Sequence, residues 1–316
     1  ILSITSSALA AETVRWLNDW LPAGDKALVY LAAEKGYFEE EGVEVEIRSG
    51  RGSSDVVTKL ATGSADMGTG GLGALLQAKA ESNVGVTAVM SLYTKQPDAV
   101  LVDAASDIKT LKDLEGKTLA TPTFSASNVT WPLVLKANDM SPDSVTLTKV
   151  DPGAMGPLMT TGRVDGTINW ITKLPAYEAL MAKASKEIRV LPWSEYGFDG
   201  YGLSVFASDE MLEERPEVVK KVLRAFKKAQ LLALENPQAA GDAIKARVED
   251  IDAAVAADEF AASIPLIDNS ISEKDGLGVF EPELLAQTWK WVAEAQELPE
   301  DTLDPQDVVT NDYLPE

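Results

Sequence analysis

Thr62-Gly63-Ser64-Ala65-Asp66 and Thr161-Gly162-Arg163-Val164-Asp165 share one grammar, and each leads into a short strand-like run. The first is flanked by Val14 to Trp16, Ala27 to Glu40, Val43 to Ile47, Asp55 to Ala61 and Ala65 to Met67, in which β-rich and helix-like stretches alternate. Such alternation predicts βαβ units and a mostly parallel sheet covered by helices on both faces. Gly42 and Gly63 fall where a helix ends on a left-handed residue. The second copy follows a strand at Val145 to Val150 and a further helix-like segment, so the spacing predicts two α/β lobes of similar design. Val100 to Val102 and Leu203 to Ala207 read as the strands that carry the chain across and back. Residues 12–101 plus 206–316 are then lobe one and 102–205 lobe two. From Asp209 onward the text is mainly helical, with Arg215-Pro216-Glu217 opening a long amphipathic helix through Leu234. No low-complexity linker intervenes, so the lobes are expected to bend on a two-strand hinge.

Composition narrows the chemistry. The chain has 316 residues, 45% of them hydrophobic, no cysteine, no histidine and a formal net charge of −22. That length supports a sizeable core, and that charge argues against nucleic acid, whose phosphates need a concentrated basic surface. The two zeros remove disulfide scaffolds, thiolate nucleophiles, Ser-His-Asp triads and zinc sites of ordinary ligand type. Residues 1–11, closing in Ala8-Leu9-Ala10, read as the back half of a secretory signal. No later apolar run has the length of a membrane span. A periplasmic monomer without a lipid anchor is therefore the expectation.

Gly68-Thr69-Gly70-Gly71-Leu72-Gly73 matches G-x-G-x-x-G after a strand, but the strand that follows, Val86 to Tyr93, ends in Thr94-Lys95-Gln96 and supplies no acid for a ribose. No cofactor is expected. The motif is instead read as a turn whose backbone N–H groups accept an anion or a carbonyl oxygen, which makes Thr69 and Gly70 candidates. Arg51-Gly52-Ser53-Ser54-Asp55 enters a helix, with at least one serine expected as its cap. Thr121-Pro122-Thr123-Phe124-Ser125-Ala126-Ser127-Asn128 is a donor-rich loop after a strand in the other lobe. Loops at the carboxyl ends of parallel strands are where open α/β sheets bind ligands, so Arg51, Ser53, Thr123, Phe124 and Ser125 are candidates. Asn18-Asp19-Trp20, Tyr93, Asn169-Trp170 and Tyr201 add aromatic and polar groups at strand ends, suited to stacking on a planar ligand or embracing a cation. Trp16, Trp289 and Trp291 are assigned to the core. Asp151 completes the ligand candidates. Asp19, Asp151 and Asp165 could in principle form an acid/base pair or hold a hard cation, but no EF-hand spacing occurs, and Asp165, like Asp66, reads as structural at a strand entrance. Catalytic and metal sites are not expected.

Leu17-Asn18-Asp19-Trp20-Leu21-Pro22, Ala33-Glu34-Lys35-Gly36-Tyr37-Phe38-Glu39-Glu40-Glu41-Gly42-Val43-Glu44-Val45 and Leu60-Ala61-Thr62-Gly63-Ser64-Ala65-Asp66-Met67-Gly68 resemble the solute-binding proteins of ABC importers that group thiamine-pyrimidine with alkanesulfonate (SsuA-like) binders. Glu115-Gly116-Lys117-Thr118-Leu119-Ala120 and Arg215-Pro216-Glu217-Val218-Val219 extend the likeness along most of the chain. The resemblance implies the type II periplasmic binding protein fold and a receptor that closes on a small molecule and presents it to a membrane permease. It also implies that Trp20 stacks on a pyrimidine. Relatives continue after the proline with an Asn and a His, where this chain has Ala23-Gly24-Asp25-Lys26. The fungal enzymes of the group sacrifice a histidine and depend on a cysteine-rich motif, and this chain has neither residue.

The expected function is capture of a planar or zwitterionic solute, a thiamine-pyrimidine-like heterocycle in the first instance, between Trp20 and Trp170. A sulfonate or taurine-type anion follows if Arg51 points into the cleft, and an amine or protonated heterocycle if Asp19 does and Arg51 does not. The competing class is an exported carboxylate-dependent hydrolase.

Overall fold

A computed structural model describes residues 12–315; the expected signal remnant at residues 1–11 lies outside the described residues. Ten strands, β1 (Glu12–Asn18), β2 (Val43–Ser49), β3 (Met67–Gly71), β4 (Val86–Ser91), β5 (Asp98–Asp103), β6 (Thr118–Pro122), β7 (Thr146–Val150), β8 (Gly166–Trp170), β9 (Ile188–Pro192) and β10 (Leu203–Ser208), form two sheets of five. Their orders are β2-β1-β3-β10-β4 and β7-β6-β8-β5-β9. β1 is parallel to β2 and β3, and β6 to β7 and β8. β10 runs antiparallel to both its neighbours, and so does β5. Each sheet is thus mixed, with one reversed strand in the fourth of its five positions.

The repeated pentapeptide occupies the same place in both lobes. Gly63 and Gly162 adopt φ of +70° and +66°, each closing the helix before it, a backbone region that costs a side chain about 1 kcal/mol or more. Asp66 accepts the backbone N–H of Arg15 at 2.7 Å, and Asp165 accepts that of Thr118 at 2.7 Å. Each aspartate ties the entrance of one strand, β3 or β8, to the parallel strand beside it, β1 or β6. Burial favours the neutral form of Asp66, but the Arg15 side chain and amide outweigh it and hold the carboxyl below its ordinary range.

Strand pairing corrects the expected boundaries. A division at 101/102 cuts through β5, which pairs only with β8 and β9, and a division at 205/206 cuts through β10, which pairs only with β3 and β4. The crossings therefore lie in residues 92–97 and 199–202. The first helix is broken as well: Gly36 at φ +73° separates Leu28–Glu34 from Tyr37–Glu40. Beyond it, Glu41 pairs with Arg224 at 2.6 Å and Glu40 with Lys228 at 2.8 Å.

The long helix spans Pro216–Glu235 and buries Val218, Val222, Phe226, Ala229 and Ala233 at helical spacing. Phe226 stacks on Trp16 with ring centroids 5.3 Å apart, in the core of lobe one. Trp289 is buried as expected. Trp291 is only half-buried, its ring tilted against Phe198 and its indole N–H donated to the Asp199 carbonyl beside the return crossing. Its helix, Pro282–Ala295, packs on both lobes and ties them at the hinge side.

Candidate functional site

The ends of β1 and β8 meet between the lobes. Asp19, Trp20, Asp25, Lys26, Gly52 and Ser53 of lobe one face Ser125, Ala126, Ile168, Asn169, Trp170 and Lys173 of lobe two across a closed cleft whose side chains leave a free volume of about 20 Å³. Helix entrances bring the walls together. Gly52 passes so close to the Phe124 carbonyl that a Cβ there would sit 2.3 Å from its oxygen, and Ser54 N–H donates to that oxygen at 3.1 Å. A Cβ on Gly71 would stand 2.6 Å from that of Ala126.

A chain of alternating charge runs along the floor. Glu259 reaches from the helix Ala253–Ile267 and holds Lys173 at 2.8 Å. Lys173 Nζ lies 2.6 Å from Asp25, Lys26 Nζ 3.5 Å from Asp25 and 2.9 Å from Asp19. Asp19 accepts from Ser53 Oγ at 3.1 Å and from Thr69 Oγ1 at 3.4 Å. Lys173 belongs to lobe two and its carboxylate partners to lobe one, so these buried ion pairs span the cleft. Burial alone would raise the Asp25 carboxyl, but the ammonium groups of Lys173 and Lys26 outweigh it and hold it below the ordinary range. Burial would lower Lys173, and the charges of Asp25 and Glu259 overcome it and raise the ammonium instead. Asp25, held by two ammonium groups in this way, stays ionised at neutral pH.

Trp170 forms one wall. Tyr93, fully buried behind it, meets its ring edge-on at 6.0 Å. Burial, with the Asp25 charge added, pushes the Tyr93 phenol well above its ordinary range. Asp98, also behind Trp170, accepts from Ser127 Oγ at 2.5 Å, and burial pushes its carboxyl up to about 6 although hydrogen bonds from Ser127 and Trp170 work against the rise.

Of the residues expected from the sequence, Asp19, Trp20, Ser53, Ser125, Asn169 and Trp170 line this cleft. Asn18 and Thr69 lie beneath it, where Asn18 Oδ1 accepts from the Trp16 indole at 2.9 Å. Tyr93 supports it from behind. The others are elsewhere. Arg51 is exposed on the outer lip, its guanidinium 4.9 Å from the centre of the Phe124 ring, so both are a contact between lobes rather than cleft lining. Thr123 and Asp151 are exposed. Tyr201 is a core residue: its hydroxyl accepts from Glu281 N–H and its ring packs on Phe280. Gly70 lies within β3 because a Cβ there would strike the Phe206 ring at 2.5 Å. None of the glycines from 68 to 73 takes a positive φ, and the donors at this helix entrance are already spent, Gly71 N–H on Ser53 Oγ and Leu72 N–H on the Gly202 carbonyl. Neither serine caps the helix Ser53–Ala61; Ser53 is turned into the cleft by Asp19 and Gly71. Asp25, Lys26, Lys173 and Glu259 were not among the expected residues. For the first two, a signal existed in Ala23-Gly24-Asp25-Lys26, the point of departure from the resembling family.

A protein-family model described as "NMT1/THI5 like" matches residues 24–240. The riboflavin-binding protein RibY of Chloroflexus aurantiacus is 26% identical over 96% of this chain and 86% of its own length. A 4-amino-5-hydroxymethyl-2-methylpyrimidine phosphate synthase of Saccharomyces cerevisiae, THI13, is 26% identical over 77% of this chain and 72% of its own. Among solved structures, the alkanesulfonate-binding protein SsuA of Xanthomonas axonopodis pv. citri, bound to MOPS, superposes with a TM-score of 0.74 at 19% identity over 96% of this chain and 99% of that one. The architecture is that of the two-lobed periplasmic binding proteins.

Proposed function

This chain belongs to the NMT1/THI5-like family, and from that premise we propose that it is an extracytoplasmic solute receptor. It captures a small planar heterocycle, pyrimidine-like and bearing a positive or zwitterionic charge, and delivers it to the permease of an ABC importer. The observation that carries this reading is that Trp20 and Trp170, one from each lobe, both line a cleft whose polar groups also come from both lobes. Capture by closure removes a solute from water and strengthens each polar contact. The ring class is supported by RibY, a binder of the fused heterocycle riboflavin, and by the yeast synthase, whose product is a pyrimidine. Asp19 faces the cleft while the Arg51 side chain is 57% exposed, which favours the cationic over the sulfonate class. Binding rather than catalysis is supported by the paired state of Asp19 and Asp25 and by a sequence without histidine or cysteine.

A thermal-shift panel of pyrimidines, flavins, betaines, taurine and alkanesulfonates, with native mass spectrometry of the purified protein, tests the proposal. A heterocycle that raises the melting temperature by several degrees and is recovered unchanged supports it. Turnover of that compound, or a shift with sulfonates alone, overturns it.

A further inference from the structure

Lys26 stands where the positive end of such a solute would sit. Its Nζ lies 4.3 Å from the centre of the Trp170 ring and 2.9 Å from Asp19. An aromatic face on one side and a carboxylate on the other, out of water, make a seat for a cation. The residue is 4% exposed, so its ammonium is inside the cleft rather than at its mouth. The connected chain of charge sets Asp19, Asp25 and Glu259 against Lys26 and Lys173, one carboxylate in excess. Lys173 is clamped by Asp25 at 2.6 Å and Glu259 at 2.8 Å. Lys26 is held less tightly, with Asp25 at 3.5 Å, and is the lysine a competitor can move.

Resting on the receptor reading, we propose that Lys26 is a specificity-determining residue: it holds the cation seat formed by Trp170 and Asp19, and the solute that takes the seat is a planar heteroaromatic carrying a single positive charge. The solute's cation replaces the ammonium over the ring and against Asp19, and the flexible four-carbon stem of Lys26 swings its charge to water. The net charge of the cleft rises by nothing, because one cation is exchanged for another. An anionic solute gains no such place, since it would face Asp19 and Asp25 while both lysines are engaged.

The test uses the full chain and two probes of nearly equal shape, permanently charged 1-methylnicotinamide and neutral nicotinamide, measured by isothermal titration calorimetry on the unsubstituted protein, Lys26→Gln and Lys26→Arg. With the internal competitor removed, Lys26→Gln should bind the charged probe at least about tenfold tighter, while nicotinamide changes by less than about threefold and Lys26→Arg stays near the unsubstituted protein. If Lys26→Gln fails to fold, as judged by circular dichroism, Lys26→Met is read in the same way. Unchanged or weaker binding of the charged probe by a folded variant overturns the proposal. So does absence of binding to all the proteins, and that result leaves the receptor reading intact if the solute panel yields another ligand.

Discussion

Trp170 leans from the second lobe against the apolar core of the first, and Trp20 leans from the first against the core of the second around Met155 and Met181. Each lobe therefore supplies a ring to the other's surface. Trp20 is half-buried and rests on a cluster that is otherwise complete within lobe two. Trp20→Ala should weaken solute binding by about 1–3 kcal/mol, with a smaller effect on the melting temperature of the unliganded protein. A loss of stability larger than the loss of affinity would place Trp20 in the core instead.

Gly71 takes φ −69°, open to any residue, yet a Cβ there would press on Ala126 across the cleft. Gly71→Ala should leave each lobe folded and hold the lobes apart. Small-angle scattering should show a larger radius of gyration in the presence of solute than for the unsubstituted protein, and affinity should fall at least about tenfold. Equal compaction would show that the approach is not limiting.

Asp25 and Lys173 form a buried pair between lobes, and removing one partner leaves the other charge unpaired. Asp25→Asn should cost about 3–5 kcal/mol of unfolding free energy at neutral pH, read by urea denaturation. The folded-state carboxyl is held below its unfolded value, so its stabilisation is present above about pH 4 and is lost as the pH falls below that. The difference between variant and parent should shrink accordingly in acid. A constant difference from pH 7 to pH 3 would contradict the assignment.

Asp98 has the opposite sign. Its folded-state carboxyl is raised to about 6, so ionising it costs stability as the pH rises from about 4 through 6. Asp98→Asn keeps an acceptor for the Ser127 hydroxyl and cannot ionise. It should gain about 1–3 kcal/mol at pH 7.5 and almost nothing at about pH 3, below both the folded and unfolded values, measured by denaturation at both pH values. Equal effects at the two pH values would show that Asp98 is not ionised at a cost.

The duplicated lobe was legible because its signal is local: Gly63 with Asp66, and Gly162 with Asp165, do within one turn what their spacing implies. Trp20 and Trp170 were legible for the same reason, each following a strand beside a polar residue. The reversed strands were not, since a strand of buried residues such as β5 or β10 reads the same in either direction. The ionic floor was hidden by distance along the chain, as Lys173 finds Asp25 from the other lobe and Glu259 from a helix of its own. The glycine run misled because glycine there answers to neighbouring backbone and rings, with Leu17 and Phe206 leaving no room for a side chain at Gly68 or Gly70.

The reversed strand of lobe one has a consequence for how the molecule is made. β10 lies between β3 and β4, so β4 has no partner in its sheet until residues 203–208 have left the ribosome. Lobe two, by contrast, is one uninterrupted stretch of sheet from β5 to β9 and has all its strands by then. During synthesis the half that starts first is the half that finishes last, and a fragment ending at Gly202 would carry a whole second lobe behind an unfinished first one.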